Sequence, residues 1–176
     1  RLQEQKIYAH ILEFFFRSDT QEEIYHYLLP IVKSQSDADY VFWFSEPEIA
    51  SDPPRWRYYG FDNWMEKILL KLGWNLRKPI HRIRDLNATI CDILKQRCIH
   101  EYSGSLSDLL IYKAGVISGK IEKMLQIDHI YLRGLTGKDG ITGYLAFVFR
   151  KGKDIGDREL LNNMINMMTL VLDRKK

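Results

Sequence analysis

Apolar residues recur at helical spacing at both ends of the chain and in strand-like runs between them. Tyr8, Ile11, Leu12 and Phe15 fall at i, i+3, i+4 and i+7, and Phe14 and Phe16 widen the stripe, which predicts a helix over Leu2–Arg17. Ser18-Asp19-Thr20 breaks it, and Thr20 with Glu23 forms a capping-box signature. Ile24, Tyr27, Leu28 and Ile31 restart the stripe, with Pro30 inside it predicting a kink or an early end. After the turn Asp37-Ala38-Asp39, the run Tyr40–Phe44 is apolar on both faces and reads as a central strand covered on two sides.

Farther along, Pro47–Pro54 is a loop and the aromatic run Arg55–Phe61 a second strand. Asn63 is placed to cap a helix ending at Leu72, with Gly73 as its left-handed stop. A short strand is expected over Pro79–Ile83, then a helix from Asn87 to Cys98, a polar break over Tyr102–Ser107 and a helix over Asp108–Leu125. That last helix would gather Ala114, Ile117, Ile121 and either Met124 or Leu125 on one face. Ile127–Leu135 and Ile141–Phe149 read as strands joined by the five-residue loop Thr136–Gly140. Asp157 would cap a final helix with a wide apolar face of Leu160, Leu161, Met164, Ile165, Met168, Val171 and Leu172. Strands joined by hairpins and short excursions give an antiparallel sheet and the α+β class.

Composition narrows the choice of function. The 176 residues suit a single domain over positions 1–176, and 45% hydrophobic with 28% charged residues excludes disordered and low-complexity chains. The net charge of +3 is small. The densest basic stretch, Arg77, Lys78, His81, Arg82 and Arg84, is interrupted by Ile80 and Ile83 and lacks an aromatic platform. It reads as a solvated strand rim, so no nucleic-acid partner is expected. No apolar run is long enough to span a membrane. Two cysteines suit a reducing, cytoplasmic setting, and a start at Arg1 suggests a piece of a longer protein.

Four features in order along the chain carry a resemblance. They are the opening helices with Thr20-Gln21-Glu22-Glu23-Ile24-Tyr25 and Leu28-Leu29, and the approach Ala38-Asp39-Tyr40-Val41 to the first strand. Leu72-Gly73 followed by Pro79-Ile80, and Ile141-Thr142-Gly143-Tyr144-Leu145-Ala146-Phe147 running into the last helix, complete the set. The chain thereby resembles a GAF domain of multidomain signalling proteins, in particular of sensor histidine kinases. The resemblance implies a central antiparallel sheet of five or six strands. The N- and C-terminal helices, 1–17 and 157–176, would lie on one face and link to neighbouring domains. Mid-chain helices would roof a ligand pocket on the other. It further implies a non-enzymatic sensor, and an output kinase or regulatory domain in the same chain.

Catalytic signatures are missing: no Gly-x-Ser-x-Gly, Walker lysine, His-Glu-x-x-His or Cys-x-x-Cys occurs. The Cys-before-His and Asp-Ile-Pro pattern of bilin-binding GAF domains is not present, nor is the Asn-Lys-x-x-Phe pattern of those that bind cyclic nucleotides. The cofactor is therefore unknown. Cys98 and His100 are either a haem or redox pair, or a small buried hydrophobe and a surface residue after the helix. The aromatics Trp43, Tyr59, Trp74, Tyr112 and Tyr131, with Cys98, His100 and Ile117, are candidates for lining a pocket for a small molecule; core packing is the alternative. Gly115 and Gly119 are expected to allow close backbone packing. The terminal helices are more apolar than one sheet face requires, so Tyr8, Leu12, Phe15, Leu161, Met164 and Met168 are candidates for a homodimer contact, dividing between it and the core. A structural dimerisation module without ligand is the rival function.

Overall fold

The computed structural model describes residues 2–18, 20–47, 49–73, 81–110 and 116–174. Its helices are α1 (Leu2–Arg17), α2 (Gln21–Ser36), α3 (Asn63–Lys71), α4 (Ala88–Leu94), α5 (Leu106–Leu110), α6 (Val116–Met124) and α7 (Arg158–Arg174). The strands are β1 (Tyr40–Ser45), β2 (Arg55–Tyr59), β3 (His100–Tyr102), β4 (Ile127–Gly137) and β5 (Gly140–Arg150). They form one five-stranded sheet in the order β2-β1-β5-β4-β3, with every neighbouring pair antiparallel. The fold is α+β, and the two runs apolar on both faces, β1 and β5, lie side by side in its interior. Their register sets Val41 opposite Phe147 and Phe42 opposite Ala146.

Alternation along these strands builds two cores. Val41, Trp43, Leu145, Phe147 and Phe149 face a layer made by α1, α2 and α7. Phe42, Phe44, Tyr144, Ala146 and Val148 face the opposite layer, a roof containing Leu69 of α3, Ile90 and Leu94 of α4, Leu106 of α5 and Ile121 of α6. A strand pair buried on both faces needs this two-sided cover.

Capping residues fix several helix starts by accepting orphan N–H groups. Thr20 Oγ1 accepts from Glu23 N–H (3.3 Å), Asn87 Oδ1 from Ile90 N–H (2.9 Å) and Asp157 Oδ1 from Leu160 N–H (3.1 Å). The cap of α3 is Asp62, whose carboxylate accepts from Met65 N–H at 2.8 Å, and not Asn63. Asp62 does this because the helix starts at Asn63 itself, one residue earlier than a cap at Asn63 implies. Gly73 does stop α3, at φ +93°.

Other expectations are corrected. Helix α2 runs through Pro30 to Ser36. Pro30 forfeits one backbone bond, but Ile24, Leu28 and Val32 are all essentially fully buried against the sheet, and such residues contribute about 2 kcal/mol each. Within the expected strand Pro79–Ile83, residues 79 and 80 lie outside the described residues, and Ile83–Asp85 forms a 3-10 turn. Helix α4 stops at Leu94, and Arg97 takes a left-handed φ of 55°, so Cys98 is not helical. Strand β3 (His100–Tyr102) lies between the end of α4 and the polar break, sharing Tyr102 with the break, and is held by pairing with β4 alone. Pairing of β4 with β5 continues to Gly137 opposite Gly140, leaving a two-residue turn, Lys138-Asp139, in place of the longer loop. Among the described residues, no helix is long and apolar enough to cross a membrane.

Gly134 records how closely the roof approaches. A Cβ there would sit 2.0 Å from the carbonyl oxygen of Leu94, so the end of α4 rests directly on β4. Gly119, by contrast, has open space around it, so close packing is not its role; Gly115 lies outside the described residues.

Candidate functional site

The roof-side face of the sheet holds a polar pair inside an aromatic setting. His81 and Tyr144 are both buried, at 4% and 0% exposure, and His81 Nε2 lies 3.0 Å from the Tyr144 hydroxyl. The imidazole stacks on Phe44 (4.8 Å, 13°) and meets Trp56 edge-on (5.9 Å, 78°), while Tyr144 also stacks on Phe44 (5.2 Å). Burial lowers the His81 pKa from 6.5 to about 4, against a weaker opposing pull from Asp85. Its ring is therefore neutral at pH 7. Burial also pushes the Tyr144 phenol far above its ordinary value. A neutral imidazole and a neutral phenol satisfy one another as hydrogen-bond acceptor and donor in this apolar setting.

Position at this site comes from secondary structure on three sides. Phe44 and Tyr144 face one another in the β1–β5 register, and Trp56 of β2 stands opposite Phe44. His81 precedes the 3-10 turn, and its neighbour Arg82 clamps the β1–β2 loop. Arg82 donates to Glu46 Oε2 (3.3 Å) and to the carbonyls of Ala50 (3.0 Å) and Asp52 (2.9 Å). Glu46 in turn accepts from Ile83 N–H at 2.6 Å. The basic stretch is thus no solvated rim here: His81 is core and Arg82 is a tie, with Arg84 exposed and Arg77 and Lys78 outside the described residues.

Across the sheet, a cleft of about 490 Å³ opens between the β1–β2 loop and the C-terminal end of α7. Trp43, Tyr25, Glu46, Arg55, Thr142 and Asp173 are among its walls. It lies on the terminal-helix side, opposite the His81–Tyr144 pair.

The sequence-predicted pocket residues do not converge. Trp43 and Tyr131 belong to the terminal-helix core; Trp43 lines the cleft there, and the Tyr131 hydroxyl donates to Asp154 at 2.5 Å. Tyr59 is 45% exposed on the edge strand β2. Cys98 and His100 sit at the other edge, Sγ to Nε2 3.0 Å apart. Trp74 and Tyr112 lie outside the described residues, as does the side chain of Ile117. Phe44, Trp56, His81 and Tyr144 were missed. Strand parity separates Phe44 from Trp43, but nothing in the sequence says which parity meets the terminal helices.

The expected dimer residues divide sharply. Leu161, Met164 and Met168 are at most 1% exposed and Phe15 9%, all consumed by the core of this chain. They are corrected to packing residues, because a side chain enclosed by its own domain has no surface to offer a partner. Tyr8 is half-buried and donates to Glu4 Oε1 at 2.7 Å, while Leu12 is exposed. With Leu2, Ala9 and Phe16, also exposed, Leu12 forms a second apolar line on α1, flanking the buried Ile11 and Phe15.

No family model matches the sequence, and no curated relative is found for it. Solved structures do match. The phycoerythrobilin-bound GAF domain of a cyanobacterial phytochrome aligns with a TM-score of 0.65 at 9% identity, covering 98% of this chain and 95% of that one. A domain assigned to a two-component sensor histidine kinase of Sinorhizobium meliloti 1021 aligns at 0.53 and 10% identity, covering 89% and 93%. SdiA in complex with octanoyl-rac-glycerol aligns at 0.51 and 14% identity, covering 96% and 66%. The likeness is one of fold, and the fold is that of GAF domains.

Proposed function

We propose that the chain is a non-enzymatic sensory GAF module of a cytoplasmic signalling protein, of the sensor histidine kinase type. It binds a small, largely apolar molecule against the roof-side face of the sheet and relays the bound state through α1 and α7. The observation that carries this reading is the buried His81–Tyr144 pair, set among Phe44 and Trp56 on the strands whose alternate residues floor the terminal-helix layer. A guest that displaces the 3-10 turn shifts β1 and β5, and with them Trp43 and Leu145 beneath α2 and α7. Octanoyl-rac-glycerol, named with one of the similar folds, is a small, uncharged and largely apolar molecule of this kind.

Homodimerisation through the outer line of α1 completes the module. Leu2, Ala9, Leu12 and Phe16 recur at heptad-like spacing, with Leu2 70% and Phe16 79% exposed. The relay then passes from each sheet to a helix pair shared between copies.

Melting temperature is measured with phycoerythrobilin, octanoylglycerol and a panel of apolar metabolites. A ligand at about 100 times its Kd adds about 2.7 kcal/mol, which raises Tm by roughly 5–10 °C in a domain of this size. The shift is expected to vanish in Trp56→Ala and to persist in Tyr59→Ala; the reverse would overturn the site. A second reading, a structural dimerisation module, draws on the roof itself. Leu69, Ile90, Leu94 and Leu106 are fully buried against the sheet, and a panel without any thermal shift decides for it.

A further inference from the structure

Helix α3 buries one face and leaves the other open to solvent. Met65 and Leu69, at i and i+4, turn inward, with Leu69 fully buried in the roof-side core and Met65 packed against it. Trp64, Lys67, Leu70 and Lys71 recur at three- and four-residue spacing on the outer side, and all four are exposed. Exposure reaches 69% for Trp64 and 57% for Leu70. Tyr59, at the end of β2, and Leu72, just past the helix, are exposed as well, so large apolar side chains continue on either side of α3.

The charge on this face is positive. Among the described residues neither Lys67 nor Lys71 enters an ion pair. The acids nearest in sequence are Asp62, whose carboxylate caps the helix through Met65 N–H, and Glu66, half-buried on the flank. Protein interfaces are depleted in lysine, so a lysine pair set between Trp64 and Leu70 argues against a protein occupant. A bilayer surface matches the set. Indole rings favour the headgroup level, leucine suits the acyl boundary, and lysine stems lie along apolar surface while their ammonium groups reach anionic headgroups.

We propose that the outer face of α3 docks the module peripherally on a bilayer that carries anionic lipid. Trp64 and Leu70 enter the boundary between headgroups and acyl chains, and Lys67 and Lys71 bind the anionic headgroups. Lying on a bilayer is a separate requirement from crossing one, for which no helix among the described residues is long and apolar enough. One indole, one leucine and two lysines make the attachment weak and reversible. The contact lies on the outside of the roof and does not rest on a ligand beneath it.

The full chain is sedimented with vesicles of phosphatidylcholine alone and with vesicles containing about 30% phosphatidylserine. Binding is expected to be at least about tenfold tighter on the anionic vesicles and to be lost in about 1 M salt, which screens surface charge. Lys67→Gln and Lys71→Gln are each expected to weaken it about fivefold. Lys138→Gln, at an exposed lysine of the β4–β5 turn, is expected to leave it unchanged. Lipids brominated in the acyl chain are expected to quench the tryptophan fluorescence of the wild type, and Trp64→Phe to remove most of that quenching. These side chains are exposed, so each variant keeps Tm within about 2 °C, and the wild-type comparison of the two vesicles decides even if one does not. No binding to either vesicle, equal binding to both, an equal loss in Lys138→Gln or quenching unchanged in Trp64→Phe overturns the proposal. Self-association without vesicle binding, abolished by Trp64→Ser in sedimentation equilibrium, assigns the face to a second copy and overturns it as well.

Discussion

His81 makes stability fall in weak acid, and by an amount the structure sets. In the unfolded chain the imidazole titrates near 6.5; in the folded chain burial lowers it to about 4. Between those values the unfolded state holds a proton that the native state refuses, so stability rises with pH across the window and is lost as pH falls through it. Below about 4 both states are protonated and this loss stops. A gap of about 2.5 units at 1.36 kcal/mol each gives about 3 kcal/mol. His129, raised by its bond to Glu101, works with the opposite sign, stabilising below 6.5. The lowered carboxyls of Glu22, Asp39 and Asp154 are lost only at lower pH. All of these persist in a His81→Gln variant, which keeps a polar group beside Tyr144 and cannot take up a proton. Urea unfolding followed by tryptophan fluorescence from pH 7.5 to 4 is therefore run on both proteins. The wild type is expected to lose about 3 kcal/mol more than the variant. Parallel curves would refute the buried, neutral histidine.

Gly134→Ala places a methyl group where the Leu94 carbonyl stands, 2.0 Å away. Overpacking against backbone is expected to cost about 2–3 kcal/mol and to lower Tm by roughly 5–10 °C by calorimetry; an unchanged Tm contradicts the α4–β4 contact. Met164→Ala is expected to cost about 3 kcal/mol as a core deletion, independent of protein concentration; a concentration-dependent loss would return Met164 to an interface. Phe16→Glu is expected to leave Tm within about 2 °C and to convert a dimer to a monomer in sedimentation equilibrium, and a wild type that is already monomeric at high micromolar concentration removes the dimer.

How much was legible depends on how far each signal was local. Tyr40–Phe44 and Gly143–Phe149 stand out because a strand buried on both faces needs an unbroken apolar run, and their central pairing follows from that alone. The terminal helices and the Asn87, Asp157 and Thr20 caps were legible for the same reason. Strand β3 was not, since His100-Glu101-Tyr102 has no apolar run and exists through its pairing with β4. Pro30 does not end α2, because burial along the helix outweighs one lost bond. The site itself was least legible. His81 sits in a charged stretch, and its burial is imposed by Phe44, Trp56 and Tyr144 arriving from distant strands.

The most direct test of coupling across the sheet is amide hydrogen exchange, followed by mass spectrometry, with and without whichever of phycoerythrobilin, octanoylglycerol or the panel compounds raises Tm. Slower exchange is expected in the roof around Ile83–Leu94 together with altered exchange in α1 and α7. Protection confined to the cleft between Ser45–Arg55 and Thr169–Asp173, or a protected roof with α1 and α7 exchanging as before, would contradict the account.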